Sequence, residues 1–311
     1  MKGMAYDRFG GVDVLTLRDD LPDPPLGPDT VLVRVHATGV NPVDVSIREG
    51  YLAGAFPHHF PIVPGWEMAG VVEAAGPAVT DFAPGDEVFG YVRRDDVQWG
   101  TAADLVPAPQ RCLAHKPESL SFAEAGALPL AGLTAYQAVA EHLDLAEGDR
   151  VLITRGAGGV GTFAVQIAVA LGAHVVTTAS ERNSGYLRGL GAQEVLDSSA
   201  GPVSEQLTEP VDALFDLVGG DTMRDAISTV HPGGPRGVRM VSVVDPSMRD
   251  HYGWYVFVHP DAAGLGELAR MADAGQLRVP ITKAFPLEDL AEAHRMVAEG
   301  HVRGKLVVTL R

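Results

Sequence analysis

The chain has 311 residues, long enough for two domains, and its hydrophobic content of 46% is that of an ordinary globular protein. Its 40 acidic and 24 basic residues give a formal net charge of −16, which argues against a general surface for nucleic acid or anionic membrane. No apolar run is long enough to span a bilayer, and the first residues carry no apolar signal-peptide core. The single cysteine, Cys112, excludes an internal disulfide and fits a reducing, cytoplasmic compartment.

Residues 1–118 read as β-rich, with strands expected at 4–9, 12–18, 31–40, 69–75, 87–91 and 103–106. Turn signals at Gly27-Pro28, Gly76-Pro77 and Pro84-Gly85-Asp86 separate them, and short strands between such turns predict a compact, barrel-like β domain. Val31, Val33 and Val35 fall on one face of their strand, Leu32, Arg34 and His36 on the other. Polar residues follow that strand directly: Asn41-Pro42-Val43-Asp44 reads as a turn that starts a short helix. Prolines and Gly65 in residues 60–67 stiffen an extended loop. From 123 to 142, Leu128, Leu130, Leu133 and Tyr136 recur at helical spacing, with Pro129 and Gly132 near a bend; this is the expected connector into a second domain.

Residues 150–180 are the most informative stretch. Val151-Leu152-Ile153 is a short continuous apolar run, the pattern of a strand buried on both faces. Gly156, Gly158 and Gly161 follow with the spacing G-x-G-x-x-G; then comes a helical pattern through Phe163, Ile167 and Leu171, closed by Gly172, and a second strand from Val175. The glycine spacing alone is weak, but between a buried strand and a helix it predicts a dinucleotide-binding βαβ unit. Gly156 is expected to make the tight turn, Gly158 to let backbone N–H groups reach a pyrophosphate, and Gly161 to pack the helix on the sheet. The helix N-terminus, with partial positive charge and unpaired donors, favours phosphate.

The end of the second strand bears on cofactor choice. An Asp or Glu there would bond a ribose 2′-OH. The chain has Ala179, Ser180, Glu181, Arg182 and Asn183 instead. A hydroxyl and a guanidinium suit a 2′-phosphate and point to NADPH. Glu181, rotated inward, would instead favour the 2′-OH of NADH.

Farther on, helices are expected at 184–190, 221–230, 261–274 and 287–299, and strands at 194–196, 212–218, 239–244, 255–258 and 305–310, with a turn at Pro232-Gly233-Gly234. Strands alternating with helices imply an α/β, doubly wound parallel sheet of the Rossmann kind. The tail is expected to return to the first domain. The division is then 1–118, completed by 256–311, against a nucleotide domain at 119–255.

The whole chain resembles the zinc-independent quinone oxidoreductase branch of the medium-chain dehydrogenase/reductase superfamily. The resemblance rests on Gly39-Val40-Asn41-Pro42-Val43-Asp44, Pro64-Gly65-Trp66-Glu67-Met68-Ala69-Gly70, Gly85-Asp86-Glu87-Val88, Gly132-Leu133-Thr134-Ala135-Tyr136, the glycine turn, and Gly304-Lys305-Leu306-Val307-Val308. It implies a GroES-like β-rich barrel domain beside the Rossmann domain. It also implies hydride transfer from NADPH to a quinone or to the C=C bond of an α,β-unsaturated carbonyl, and a homodimer. By the same resemblance, Asn41 adjoins nicotinamide and substrate, with Tyr51 as a second catalytic candidate. Cofactor contacts are expected from Thr134, Gly156, Gly158, Gly159, Val160, Gly161, Ser180, Arg182, Val218, Gly219, Phe257, Val258 and Lys305.

Zinc-dependent relatives carry Cys and His where this chain has Asn41 and Trp66. An amide and an indole cannot replace a thiolate and an imidazole as zinc ligands, and Cys112 alone cannot build a four-cysteine lobe. A metal-free site is therefore expected. Trp66 is read either as part of an aromatic pocket or as core. Two other functions stay open: a non-catalytic NADPH-binding protein, and a zinc-free alcohol dehydrogenase.

Overall fold

A computed structural model describes residues 1–231 and 236–310. The Pro232-Gly233-Gly234 turn lies outside the described residues. In chain order the first elements are β1 (Gly3–Ala5), β2 (Thr16–Arg18), β3 (Thr30–Val40), α1 (Pro42–Arg48), β4 (Glu67–Ala75), β5 (Glu87–Tyr91), β6 (Leu105–Pro109), β7 (Leu113–His115), α2 (Phe122–Gly126) and α3 (Pro129–Tyr136). Then come β8 (Arg150–Ile153), α4 (Gly159–Ala170), β9 (His174–Ala179), α5 (Ser184–Gly189), β10 (Glu194–Asp197), α6 (Val203–Gln206), β11 (Ala213–Asp216), α7 (Gly220–Ile227), β12 (Arg239–Ser242) and β13 (Trp254–Tyr255). The tail holds α8 (Ala262–Asp273), β14 (Ile281–Pro286), α9 (Leu290–Glu299) and β15 (Lys305–Thr309).

The chain divides into two compact units, one of Met1–Leu130, His259–Ala274 and Val279–Arg311, the other of Ala131–Val258 and Gly275–Arg278. The first boundary thus falls beyond residue 118. The reason is local: Gly126 packs so tightly on β3 that an added Cβ would lie 2.7 Å from the Ala37 carbonyl oxygen, and the Leu130 N–H donates to Glu67 Oε2 at 2.7 Å.

Among the described residues, the main sheet of the first unit runs β14-β15-β3-β4-β5-β7, with β6 also pairing β3. Neighbours pair antiparallel except β14 with β15. The alternation read in β3 holds: Val31, Val33 and Val35 are fully buried, and they pack with Met68, Val72, Val88, Val106 and Leu113. Strands β7 and β14 were not expected. β7 is three residues long, and β14, in which only Phe285 is buried, offers almost no apolar period.

In the second unit the order is β10-β9-β8-β11-β12-β13, all parallel. Numbered from β8, that is 3-2-1-4-5-6, the doubly wound order in which two βαβ halves meet at the first strand. Val151, Leu152 and Ile153 are fully buried at its centre, as their unbroken apolar run requires. Gly172 has φ +83° just past α4, the left-handed stop expected of it. The connector pattern at 123–142 resolves into α2, α3 and a π-helical segment at Gln137–His142. Among the described residues, no helix is long and apolar enough to cross a membrane.

Candidate functional site

Two constellations carry chemistry, one in each unit. In the second, β8 ends at Ile153 and α4 begins at Gly159. The left-handed residue of the intervening turn is Arg155, at φ 54°, whereas Gly156 has no positive φ. This corrects the expected role of Gly156. Its missing Cβ serves packing instead: a Cβ there would sit 2.1 Å from Thr177 Oγ1 on the neighbouring strand. Gly161 behaves as expected, since a Cβ would lie 2.5 Å from the Arg155 carbonyl oxygen and 2.6 Å from Gly156 Cα. Gly158 differs from both. A Cβ there would meet only Arg155, at 3.5 to 4.0 Å, an ordinary contact distance, so Gly158 is not required by crowding.

Gly158 is the N-cap of α4 and offers no side chain to its N–H groups, and the first turn holds no acid. The N–H groups of Gly159, Val160 and Gly161 have no acceptor within the helix and face a positive dipole end. Bare donors, a positive dipole and an absent Cβ form a cradle that fits a phosphate diester. At the tip of β9, Ser180 accepts from Asn183 Nδ2 at 3.2 Å, and Glu181 and Arg182 are both exposed.

At the end of β11, a fully buried carboxylate that sequence reasoning missed builds the turn. Asp216 accepts from Ser242 Oγ at 2.8 Å and from the N–H groups of Val218 and Gly219, each at 3.1 Å. Gly219 sits at φ +79°, and Val218 is left 44% exposed. Thr134 is buried in α3; Phe257 is 48% exposed and Val258 half-buried, just past β13.

The first unit holds a buried polar cluster at the end of β3. Asn41, Asp44, Glu67 and Lys305 are each at most 3% exposed. Lys305 Nζ donates to Asn41 Oδ1 at 2.5 Å and to Glu67 Oε1 at 2.8 Å, and Asn41 Nδ2 donates to the same Glu67 oxygen at 2.6 Å. The orientation of the Asn41 amide is thus set from both ends. Lys305 is expected among the cofactor contacts; its ammonium donates to two protein oxygens, and one of these bonds helps orient the Asn41 amide. The cluster also explains Gly39, where a Cβ would fall 2.1 Å from Glu67 Oε1. Neither Glu67 nor its partnership with Lys305 was read from the sequence. The only available signal was the pairing of charged residues with otherwise apolar strands.

Asp44 caps α1 by accepting from the Asn41 N–H at 2.7 Å, while its other oxygen, Oδ1, is buried without a hydrogen-bond partner. Burial pushes the Asp44 carboxyl up to about 7, with the Glu67 charge adding to the rise. Nearby, Arg48 Nη1 donates to His294 Nδ1 at 2.9 Å and ties α1 to α9. Burial, then the Arg48 charge, lowers the His294 imidazole to about 3, so it is neutral. Tyr51 stands 77% exposed on the turn after α1. Trp66 is buried edge-on to Phe56, with ring centroids 5.7 Å apart, and 6.2 Å from Tyr91, an aromatic core position. Among the described residues, no three His, Cys, Asp or Glu side chains gather as metal ligands.

Two family models match the chain: an alcohol dehydrogenase GroES-like domain over residues 27–118 and a zinc-binding dehydrogenase over residues 190–308. The NAD(P)H oxidoreductase RTN4IP1, mitochondrial, of Danio rerio is 32% identical over 358 residues, which span 100% of this chain and 91% of that protein. The NADPH-dependent alkenal/one oxidoreductase, chloroplastic, of Arabidopsis thaliana is 33% identical over 99% of this chain and 79% of its own length. Among solved structures, the quinone oxidoreductase from Coxiella burnetii superposes with a TM-score of 0.90 at 33% identity, over 100% of this chain and 99% of that one. The chain belongs to the medium-chain dehydrogenase/reductase superfamily, in the quinone oxidoreductase branch of these oxidoreductases.

The buried cluster yields a signed pH dependence. Folded Asp44 keeps its proton up to about pH 7, whereas an unfolded Asp loses it near 3.8. The folded state binds the extra proton in between, so this carboxyl's contribution is complete below pH ~4 and is lost as pH rises through ~7. His294 has the opposite sign: its contribution is present above pH ~6.5 and is lost as pH falls toward 3. The check is therefore a difference. From pH 5 to pH 8 the unfolding free energy of wild type should fall relative to Asp44→Asn, by at most roughly 3 kcal/mol, because about two pKa units of the shift lie inside that window. Urea unfolding at both pH values measures it, and a difference independent of pH would refute the assignment.

Proposed function

We propose that the chain is an NADPH-dependent oxidoreductase that delivers hydride to a quinone or to the C=C bond of an α,β-unsaturated carbonyl, without zinc. The observation that carries this reading is the bare, acid-free helix mouth at Gly158–Gly161, set at the first strand of a doubly wound sheet. The names of the relatives, an NAD(P)H oxidoreductase and an NADPH-dependent alkenal/one oxidoreductase, support the same chemistry.

Gly159, Val160 and Gly161 would hold the diphosphate through their N–H groups, and Ser180 and Arg182 the 2′-phosphate. Thr134, Val218, Gly219, Phe257 and Val258 complete the proposed contacts. When bound, the reduced nicotinamide supplies the hydride. The chain's own task is to orient the acceptor and stabilise the negative charge that grows on its carbonyl oxygen. Asn41 is the proposed donor. One N–H of its Nδ2 is committed to Glu67, which leaves the other for the substrate. Lys305 on Oδ1 draws electron density from the amide and strengthens that donor. Tyr51, exposed on its turn, is the second proposed donor.

Steady NADPH oxidation is expected with members of a panel of quinones and enones. Silence across a broad panel, with NADPH still bound, would favour the non-catalytic binding protein; reversible ketone reduction would favour the zinc-free alcohol dehydrogenase. Arg182→Ala should raise the Michaelis constant for NADPH by about 10- to 100-fold, the scale of one hydrogen bond to a charged group, and leave that for NADH nearly unchanged. Equal changes would transfer the selectivity elsewhere.

The reading extends to a cytoplasmic homodimer. A reducing compartment is in keeping with the lone buried thiol of Cys112, although the relatives named above are organellar. Edge strand β13, with Trp254 57% exposed, supports pairing with a second copy. Light scattering should return the mass of two chains; a monomer at micromolar concentration would remove the dimer from the reading.

A further inference from the structure

The turn between β8 and α4 carries an arginine where glycine would fit with less strain. Arg155 has φ 54°, a region that residues with a Cβ enter at a cost. Its backbone is fixed on both sides: its N–H donates to Thr178 Oγ1 on β9 at 2.9 Å, and its carbonyl accepts from the Gly158 N–H at 3.1 Å. The side chain is exposed and runs along Gly158, the N-cap of α4. A Cβ built on Gly158 would lie 3.9 Å from Arg155 Cγ and 4.0 Å from its Nε. Among the described residues the guanidinium enters no ion pair, in a chain with 40 acidic residues. An exposed, always-charged fork thus lies beside the rim of a cradle of backbone donors, and it matches the geometry of a phosphate.

We propose that Arg155 is a phosphate-binding residue of the dinucleotide site, contributing charge where the backbone of α4 contributes N–H groups. This rests on the reading of the chain as a nicotinamide-nucleotide oxidoreductase. Its place along Gly158 favours the diphosphate, which NADPH and NADH share; its anchorage on β9 brings the 2′-phosphate within the same chemistry, and the test separates the two.

Binding of NADPH, NADH, adenosine 5′-diphosphate and adenosine 2′,5′-bisphosphate is measured by calorimetry on wild type, Arg155→Gln, Arg155→Lys and Arg155→Gly. Arg155→Gln should weaken NADPH by about tenfold or more, and Arg155→Lys should restore part of the loss. Equal weakening of NADH and of the 5′-diphosphate assigns the contact to the diphosphate; weakening confined to NADPH and the 2′,5′-bisphosphate assigns it to the 2′-phosphate. Arg155→Gly should weaken binding in the same way while the thermal midpoint stays level or rises, because glycine relieves the turn. A purely structural role would lower both. Unchanged affinity for all four ligands in Arg155→Gln and Arg155→Gly would overturn the proposal. A wild-type chain that binds neither NADPH nor NADH would overturn the reading beneath it, a separate result.

Discussion

A single buried carboxylate organises the barrel unit. Glu67 is fully buried, and its two oxygens receive the Lys305 ammonium, the Asn41 amide and the Leu130 N–H. Those partners come from β15, the β3–α1 junction and the start of α3. An isolated buried carboxylate would be prohibitively costly, and one paired with an ammonium and hydrogen-bonded at both oxygens is tolerated. Removal of Lys305 would leave the Glu67 charge uncompensated, and removal of either neutral donor would leave a buried acceptor unmet, so the four segments are held to one arrangement. The same bonds aim the Asn41 amide, which ties the stability of the unit to the orientation of its proposed donor.

The nucleotide unit solves a different problem. Its chain is strongly acidic, yet it must present a local site for phosphate. In the proposed reading it does so mainly without side chains, through the mouth of α4, where backbone N–H groups supply partial positive charge that needs no counter-ion. Glycines make that possible for distinct reasons. Gly156 removes a collision with Thr177 and Gly161 one with the backbone of Arg155 and Gly156, while a Cβ on Gly158 would meet only Arg155 at ordinary contact distance. A fingerprint written as one motif is thus two packing constraints and one uncrowded helix cap. The left-handed turn itself falls to Arg155.

A matched model described as a zinc-binding dehydrogenase does not by itself assign zinc chemistry to this chain. Asn41 is engaged by Glu67 and Lys305, and Trp66 packs against Phe56 and Tyr91. Both residues are used as polar scaffold and apolar core. In this chain a charged side chain, Lys305, acts on the proposed donor through hydrogen bonding.

By itself the sequence determined the features that depend on neighbours in the chain. The unbroken run at Val151-Leu152-Ile153, the glycine spacing, the stop at Gly172 and the alternation of Val31, Val33 and Val35 all report local periodicity. They were enough for the doubly wound sheet and the barrel, while the family rested on a resemblance spread over motifs along the whole chain. Tertiary structure alone decided what depends on distant partners. Lys305 meets Asn41 across 264 positions and Glu67 across 238, separations no local pattern encodes. It decided that residues up to Leu130 join the barrel unit, because Gly126 and Leu130 are bound to β3 and Glu67. It also decided that β14 is a strand, since its pairing with β15 replaces an apolar signal that the segment lacks. The turn at Arg155 belongs to the same class: a backbone angle is chosen by the strand and helix it joins, and only their packing reveals that a non-glycine residue has been held there.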